Sequence, residues 1–238
     1  MERIRQSRYL LVLVIRFTLP IIAMALPLVA QSSGSYAITV EYQVPVKMRD
    51  GVTLYADIYR AKTEEKLPVL LVRTPYDKSR TWVTPLAHAA ASRGFVVIIQ
   101  DVRGRYESEG EWYPFRNESN DGYETVEWAA ALPYTAGKVG MIGGSYVGAT
   151  QFLAAISHPR HLAGICPVVT GSNYHDGWTY QGGAFEQFFN ETWTSGLAQD
   201  TLRRRLDLGN NAMSGIDTLP LTSYPVLKPD VGGLAPYF

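Results

Sequence analysis

The sequence predicts an α/β fold with a mostly parallel sheet, and three observations carry that prediction. Short apolar runs without alternation recur at Pro68–Val72, Phe95–Gln100, Val139–Ile142 and Leu162–Val169. Runs of that length mark strands buried on both faces. Helical stretches separate them: Pro85–Arg93, alanine-rich and stopped by Gly94, then Gly122–Leu132, then Tyr146–Ser157. Strands alternating with helices require crossover connections and helices on both sides of one sheet.

The flanking elements follow in order. Ile38–Met48 alternates and is rich in valine, Arg49-Asp50-Gly51 is a turn signal, and Val52–Tyr59 alternates again with Leu54, Ala56 and Ile58 on one face. This pattern predicts an antiparallel hairpin ahead of the parallel strands. Asp101–Phe115 is polar and glycine-bearing and reads as a loop. Asp121, three residues before Glu124, reads as a capping-box start for the helix Gly122–Leu132. Beyond Gly171 the pattern changes: glycine and aromatic residues dominate from Ser172 to Trp193, and Leu197–Leu208 reads as a helix. Residues 36–171 are therefore expected to form the N-terminal half of a sheet core, and residues 172–238 the start of a helical cap or lid. The last residues, Pro236-Tyr237-Phe238, are apolar and belong to no closing strand. The C-terminal part of the fold is expected to be missing.

Composition narrows the function classes. The formal net charge is zero, so nothing points to a nucleic-acid partner. A single cysteine, Cys166, excludes an internal disulfide, and its apolar neighbours predict a buried core thiol. Residues 1–32 differ from the rest. Arg3, Arg5 and Arg8 precede an apolar run that is interrupted by Arg16 and carries Pro20 and Pro27. A charge at the centre of a spanning helix costs about 2.5–3.5 kcal/mol. The clean apolar part, Phe17–Ala30, is short for a span and suits an export signal, with small-x-small sites such as Ala30-Gln31-Ser32. A cleaved signal peptide is expected, hence a periplasmic or secreted protein with no stable membrane association after cleavage. A retained anchor is the alternative.

Chemistry concentrates at Gly143-Gly144-Ser145-Tyr146-Val147-Gly148, between a buried strand and a helix. That context is what a nucleophile elbow needs: a serine on a sharp strand-to-helix turn, exposed above the carboxyl end of the sheet. Gly143 leaves room for the helix to pass the strand, and Gly148 and Ala149 let the helix start close to the turn. The pattern departs from strict G-x-S-x-G, because Val147 stands at the second glycine and Gly148 comes one residue later. A glycine-rich turn with an incidental serine is the plainer alternative. A phosphate-binding turn is disfavoured, since neither a P-loop lysine nor G-x-G-x-x-G spacing is present.

Gly144-Ser145-Tyr146-Val147-Gly148 resembles the CocE/NonD hydrolases and X-Pro dipeptidyl-peptidases. Other segments agree in order and spacing: Val44–Arg60 with the opening hairpin, Arg73–Lys78 with the oxyanion-loop motif, Asp101–Arg105, Asp121–Trp128, and Tyr180–Glu186 with the start of the cap. The resemblance covers roughly residues 38–190. It implies an α/β-hydrolase fold and a serine hydrolase acting on ester, amide or X-Pro dipeptidyl substrates through an acyl-serine intermediate, with no cofactor and no metal. It implies Ser145 as nucleophile, the Tyr146 backbone N–H as one oxyanion donor and the Tyr76 phenol hydroxyl as the other. Within the same chemistry, a carboxylic-ester or β-lactam acylase is the rival to a peptidase. Asp101, Arg103 and Arg105 read as structural, because their loop follows a different strand and their charges can pair locally.

A serine nucleophile of this fold needs an acid and then a histidine later in the chain. After Ser145 come only His158, His161 and His175. The first two fall at the far end of the nucleophile helix. His175 adjoins Asp176, but neighbours on a loop do not make a relay, because the acid must reach the far ring nitrogen. The resemblance places the acid and base on later strands, after the cap, so the triad acid and base are expected to lie outside this chain. A truncated, inactive fragment is the matching alternative.

Overall fold

The computed structural model describes residues 35–80, 82–201 and 220. The expected export signal and most of the expected cap lie outside the described residues. Six strands form one sheet: β1 (Ile38–Lys47), β2 (Thr53–Ala61), β3 (Leu67–Thr74), β4 (Val96–Asp101), β5 (Thr135–Gly144) and β6 (Leu162–Val168). Their order is β1-β2-β4-β3-β5-β6. β1, β2 and β4 pair antiparallel, and the β4-β3-β5-β6 run is parallel. Helices α1 (Thr84–Ala91), α2 (Glu118–Ala131) and α3 (Tyr146–Ile156) provide the three crossovers. A two-stranded hairpin, β7 (Tyr180–Gln181) with β8 (Ala184–Phe185), and helix α4 (Gln187–Thr201) follow.

Strand alternation divides the core between the two faces of the sheet. Val69 and Leu71 of β3 and Val96 and Ile98 of β4 pack with Val126, Ala129 and Ala154 of α2 and α3. Their neighbours Val72, Val97 and Ile99 point to the opposite side, against Val83, Ala87 and Ala91 around α1. Successive side chains of a strand face opposite ways, so a strand covered on both sides is apolar throughout. All six residues of β4 are buried, its polar end included.

In β1 the even-numbered residues are apolar along its whole length, yet they do not share a face. Ile38 and Val40 pack on the α1 side, whereas Val44, Val46 and Met48 join the α2–α3 side. A bulge between Glu41 and Val44 inserts one extra residue, and Gln43 carries it at φ 57°. One extra residue switches the facing of every position beyond it. The Gln43 N–H donates to Asp57 Oδ1 at 3.0 Å, which holds the bulge.

Several expectations change in detail. α2 starts at Glu118, ahead of the expected Asp121, and no side chain caps it. Asp121 is buried and takes both Arg103 Nε and Nη2, at 2.9 and 2.7 Å, so its carboxylate is committed to a tertiary contact instead of the helix start. Cys166 is exposed, not buried. It lies on β6, which has a neighbour on one side only among the described strands and alternates partly buried with exposed residues. The post-sheet helix begins at Gln187, ten residues before the expected Leu197, and residues 202–208 lie outside the described set. Among the described residues, no helix is long and apolar enough to cross a membrane.

Candidate active site

Ser145 stands between β5 and α3 with φ 57° and ψ −127°. That pair lies outside the left-handed helical well that non-glycine residues with positive φ normally use. Such a conformation costs about 1–3 kcal/mol and persists only where the surroundings over-determine it. Here they do. The Ser145 N–H donates to the Val168 carbonyl at 2.9 Å, and its own carbonyl accepts the N–H groups of Gly148 and Ala149 at 2.9 and 3.0 Å. The turn is too tight for side chains at two places. A Cβ on Gly143, itself at φ 142°, would lie 2.3 Å from Val147 Cγ1, and a Cβ on Gly148 would lie 2.7 Å from Thr170 Cγ2.

Tyr146 opens α3, so its N–H belongs to the first turn, whose donors lack intrahelical partners. Its side chain points the other way and is fully buried. The Tyr146 hydroxyl donates to Glu118 Oε1 at 2.9 Å and accepts the Phe115 N–H at 2.9 Å. Burial and the adjacent Glu118 carboxylate hold this phenol well above its ordinary range, so it stays protonated. Glu118 Oε2 accepts from Arg73 Nη1 at 2.7 Å, and Arg73 Nε donates to Gln100 Oε1 at 2.8 Å. Arg73 is wholly buried near the end of β3, three residues before Tyr76. One buried carboxylate thus ties the strand that leads to Tyr76 to the helix that follows Ser145.

Tyr76 reaches the same place from the loop after β3. Its N–H is held by Thr74 Oγ1 at 3.0 Å, and the preceding carbonyl, of Pro75, accepts Arg105 Nε at 2.9 Å. Arg105 is almost fully buried and also donates to the Leu197 carbonyl of α4 at 2.7 Å. The Tyr76 hydroxyl accepts the indole N–H of Trp193 at 3.1 Å, and the Ser145 hydroxyl acts on it electrostatically. Burial pushes this phenol up, so it too remains a proton donor. Fixed donors around a reacting carbonyl are the largest single contribution in many acyl transfers. If Tyr76 is one of them, Tyr76→Phe should lower kcat by about 10²–10³. Steady-state kinetics would check this, and an unchanged kcat would remove Tyr76 from the oxyanion site.

Ser145 lines a cleft of ≈ 550 Å³ together with Val169, Thr170, Gly171, Gly177, Trp178, Glu186 and Phe189. The walls are mainly apolar, with one carboxylate, Glu186. Among the described residues no histidine lines this cleft. His158 follows the C-terminal end of α3, and His161 Nδ1 pairs with Glu127 Oε2 at 2.7 Å. Eleven helical residues at about 1.5 Å each separate that end from Ser145. His175 Nδ1 does meet Asp176 Oδ1, at 3.0 Å, but both side chains are about three-quarters exposed, and His175 stacks on Tyr180.

Asp101, Arg103 and Arg105 of the 101–115 loop are all engaged. Arg103 pairs with Asp121 and Asp50, and Asp101 Oδ1 accepts the Lys78 N–H at 2.8 Å with the Lys78 ammonium 3.4 Å from Oδ2. Burial pushes the Asp101 carboxyl up to about 7, against the pull of Lys78. An acid with a raised pKa in the folded state binds its proton more tightly folded than unfolded. Its contribution is therefore fullest below its unfolded value, 3.8, and is lost as pH rises toward 7. Asp101→Asn should flatten the fall in melting temperature across that window. An unchanged slope would mean that Asp101 is charged throughout it.

Of the residues expected from sequence, Tyr146 adjoins Ser145 and Tyr76 packs against the cluster that includes Tyr146. Trp193, Trp178, Glu186 and Glu118 were not singled out. Trp178 and Trp193 lay in a stretch legible only as aromatic-rich, and no local spacing marked Glu118.

A parallel sheet in this strand order, with a strained serine at the turn from its third parallel strand into a helix, defines an α/β-hydrolase scaffold. The model of the X-Pro dipeptidyl-peptidase (S15) family matches residues 50–218, and the chain belongs to that family, within the CocE/NonD group. It is 36% identical over 179 residues to cocaine esterase of Rhodococcus sp. (strain MB1 Bresler), covering 73% of this chain and 31% of the relative. A CocE/NonD family hydrolase from Staphylococcus aureus superposes with a TM-score of 0.64 at 27% identity, over 73% of this chain and 34% of that one. An α-amino acid ester hydrolase does so with a TM-score of 0.57 at 29% identity, over 71% and 31%. The chain thus spans about a third of the length of these relatives.

Proposed function

We propose that this chain provides the nucleophile and oxyanion half of a serine hydrolase that transfers acyl groups from esters, amides or X-Pro dipeptidyl substrates to water. The observation that carries the reading is the strained backbone of Ser145, which lines a largely apolar cleft, with Tyr76 packed against the cluster that includes the adjoining Tyr146. Strain of this kind, paid for by surrounding contacts, gathers at functional sites. In the proposed reaction the Ser145 oxygen bonds to the acyl carbon while its proton passes to a general base. The carbonyl π electrons move onto oxygen, where the Tyr146 N–H and Tyr76 O–H receive them. Collapse expels the alcohol or amine, which takes the proton, and water then releases the acyl group by the same steps. The base and its orienting acid would come from segments beyond the described residues. The basic and apolar character of residues 1–32 supports export.

A second, narrower reading follows from Glu186. Its carboxylate lines an otherwise apolar cleft, which suits a substrate carrying an amine near its acyl group. Kinetics of the full-length protein on 4-nitrophenyl butyrate, phenylglycine methyl ester and Gly-Pro-4-nitroanilide would separate the classes. Turnover of at least one, blocked by a serine-directed fluorophosphonate, is expected. Inhibitor-resistant turnover of all three, or no turnover of any, would contradict the proposal. Preference for the two amine-bearing substrates would select the second reading.

A further inference from the structure

A phenol oxygen carries one hydrogen to give and lone pairs to receive, whereas an indole N–H can only donate. The 3.1 Å contact between Trp193 Nε1 and the Tyr76 oxygen therefore has one sense: Trp193 donates and Tyr76 accepts. The Tyr76 hydrogen is left for another acceptor, and the Tyr76 ring packs against the cluster that includes Tyr146, the residue after Ser145. Accepting a hydrogen bond also polarises the O–H and strengthens its own donation. Trp193 is itself fixed on α4. Its ring lies against those of Tyr146, Trp112 and Phe189, with centroids 6.1–6.2 Å apart. Arg105 repeats the link at the backbone, donating to the carbonyls of Pro75 and Leu197.

We propose that Trp193 is a positioning residue of the oxyanion site, its indole N–H aiming the Tyr76 hydroxyl at the oxygen of the acyl group that Ser145 attacks. The inference rests on the reading of Ser145 as nucleophile. Trp193 transfers no proton. Tyr76 keeps its proton as well and only shares it with the developing oxyanion. The arrangement makes the first helix after the sheet part of the catalytic geometry, so that a displacement of α4 would change turnover even with the Ser145 turn intact.

A double-mutant cycle in the full-length protein tests this, using a 4-nitrophenyl ester and the variants Trp193→Phe, Tyr76→Phe and both together. Phenylalanine keeps an aromatic ring and removes the N–H. The expected result is a fall in kcat of about tenfold with KM changed less than about twofold. In the Tyr76→Phe background, the same replacement should change kcat by less than about twofold, because the group it acts through is gone. Equal losses in both backgrounds, or a change confined to KM, would show that Trp193 acts by packing or by touching substrate, and would overturn the proposal. If Trp193→Phe fails to fold, β-(3-benzothienyl)alanine at position 193 keeps the shape and removes the N–H, and the same outcomes apply. Retained turnover in Ser145→Ala would overturn the nucleophile reading and this inference with it. An inactive Ser145→Ala alongside an uncoupled Trp193 would overturn the role of Trp193 alone.

Discussion

Ser145→Ala is expected to lower the turnover of the full-length protein by roughly 10⁶-fold, the scale of loss found when the nucleophile of a serine–histidine pair is removed elsewhere. Alanine keeps the Cβ, so the φ 57°, ψ −127° backbone of this residue carries the same strain in the variant. The fold should not notice the change, and the melting temperature should stay within a degree or so of the parent. Ser145→Gly separates function from stability more sharply. Glycine adopts positive φ without penalty, so this variant should be equally inactive yet more stable by about 1 kcal/mol or more. Denaturant titration checks the second expectation. A glycine variant less stable than the parent would mean that the turn is not strained as argued.

The second large effect concerns stability. Glu118→Ala is expected to cost about 3–5 kcal/mol, because it leaves a buried guanidinium without its carboxylate. Arg73 is fully buried, and its Nη1 donates to Glu118 Oε2 at 2.7 Å. The Tyr146 hydroxyl would lose its acceptor in the same step. Burial pushes the Glu118 carboxyl up even beside Arg73, which shows how heavily desolvation weighs on this pair. Glu118→Gln keeps an acceptor oxygen and should cost less than the alanine change. The carboxylate joins β3 to α3, so both variants should also lower kcat, by disturbing the Tyr76 loop and the Tyr146 N–H together. Urea unfolding followed by far-ultraviolet circular dichroism would measure the first effect. A Glu118→Ala loss below about 1 kcal/mol would contradict the buried-pair account.

What could be read from sequence follows from the range of the interactions involved. β4 was legible because Phe95–Ile99 is apolar at every position, as burial on both faces demands. The Ser145 turn was legible because its serine and glycines fall within six consecutive residues, although Val168 and Thr170, which hold it, do not. β1 was only half legible: its even-numbered apolar residues look like one face, and the bulge at Gln43 that divides them leaves no compositional mark. Cys166 was misplaced because its neighbours in sequence are apolar, whereas it is exposed on β6, which has a neighbour on one side only among the described strands. α4 was placed ten residues late. Its first turns carry Phe188, Phe189 and Trp193, and Phe189 and Trp193 line clefts or other rings instead of continuing a regular apolar stripe. The contacts that organise the site join residues far apart in the chain, Arg73 to Glu118 and Tyr76 to Trp193, and no spacing rule reaches across such separations.

The central claim is that Ser145 forms a covalent acyl intermediate. Mixing the full-length protein with a 4-nitrophenyl ester, quenching in acid within milliseconds and mapping peptide masses tests it most directly. A burst of one nitrophenolate per chain, with the acyl mass on the peptide containing Ser145 and absent from Ser145→Ala, is the predicted result. Turnover without a burst, or an acyl mass on any other residue, would contradict it.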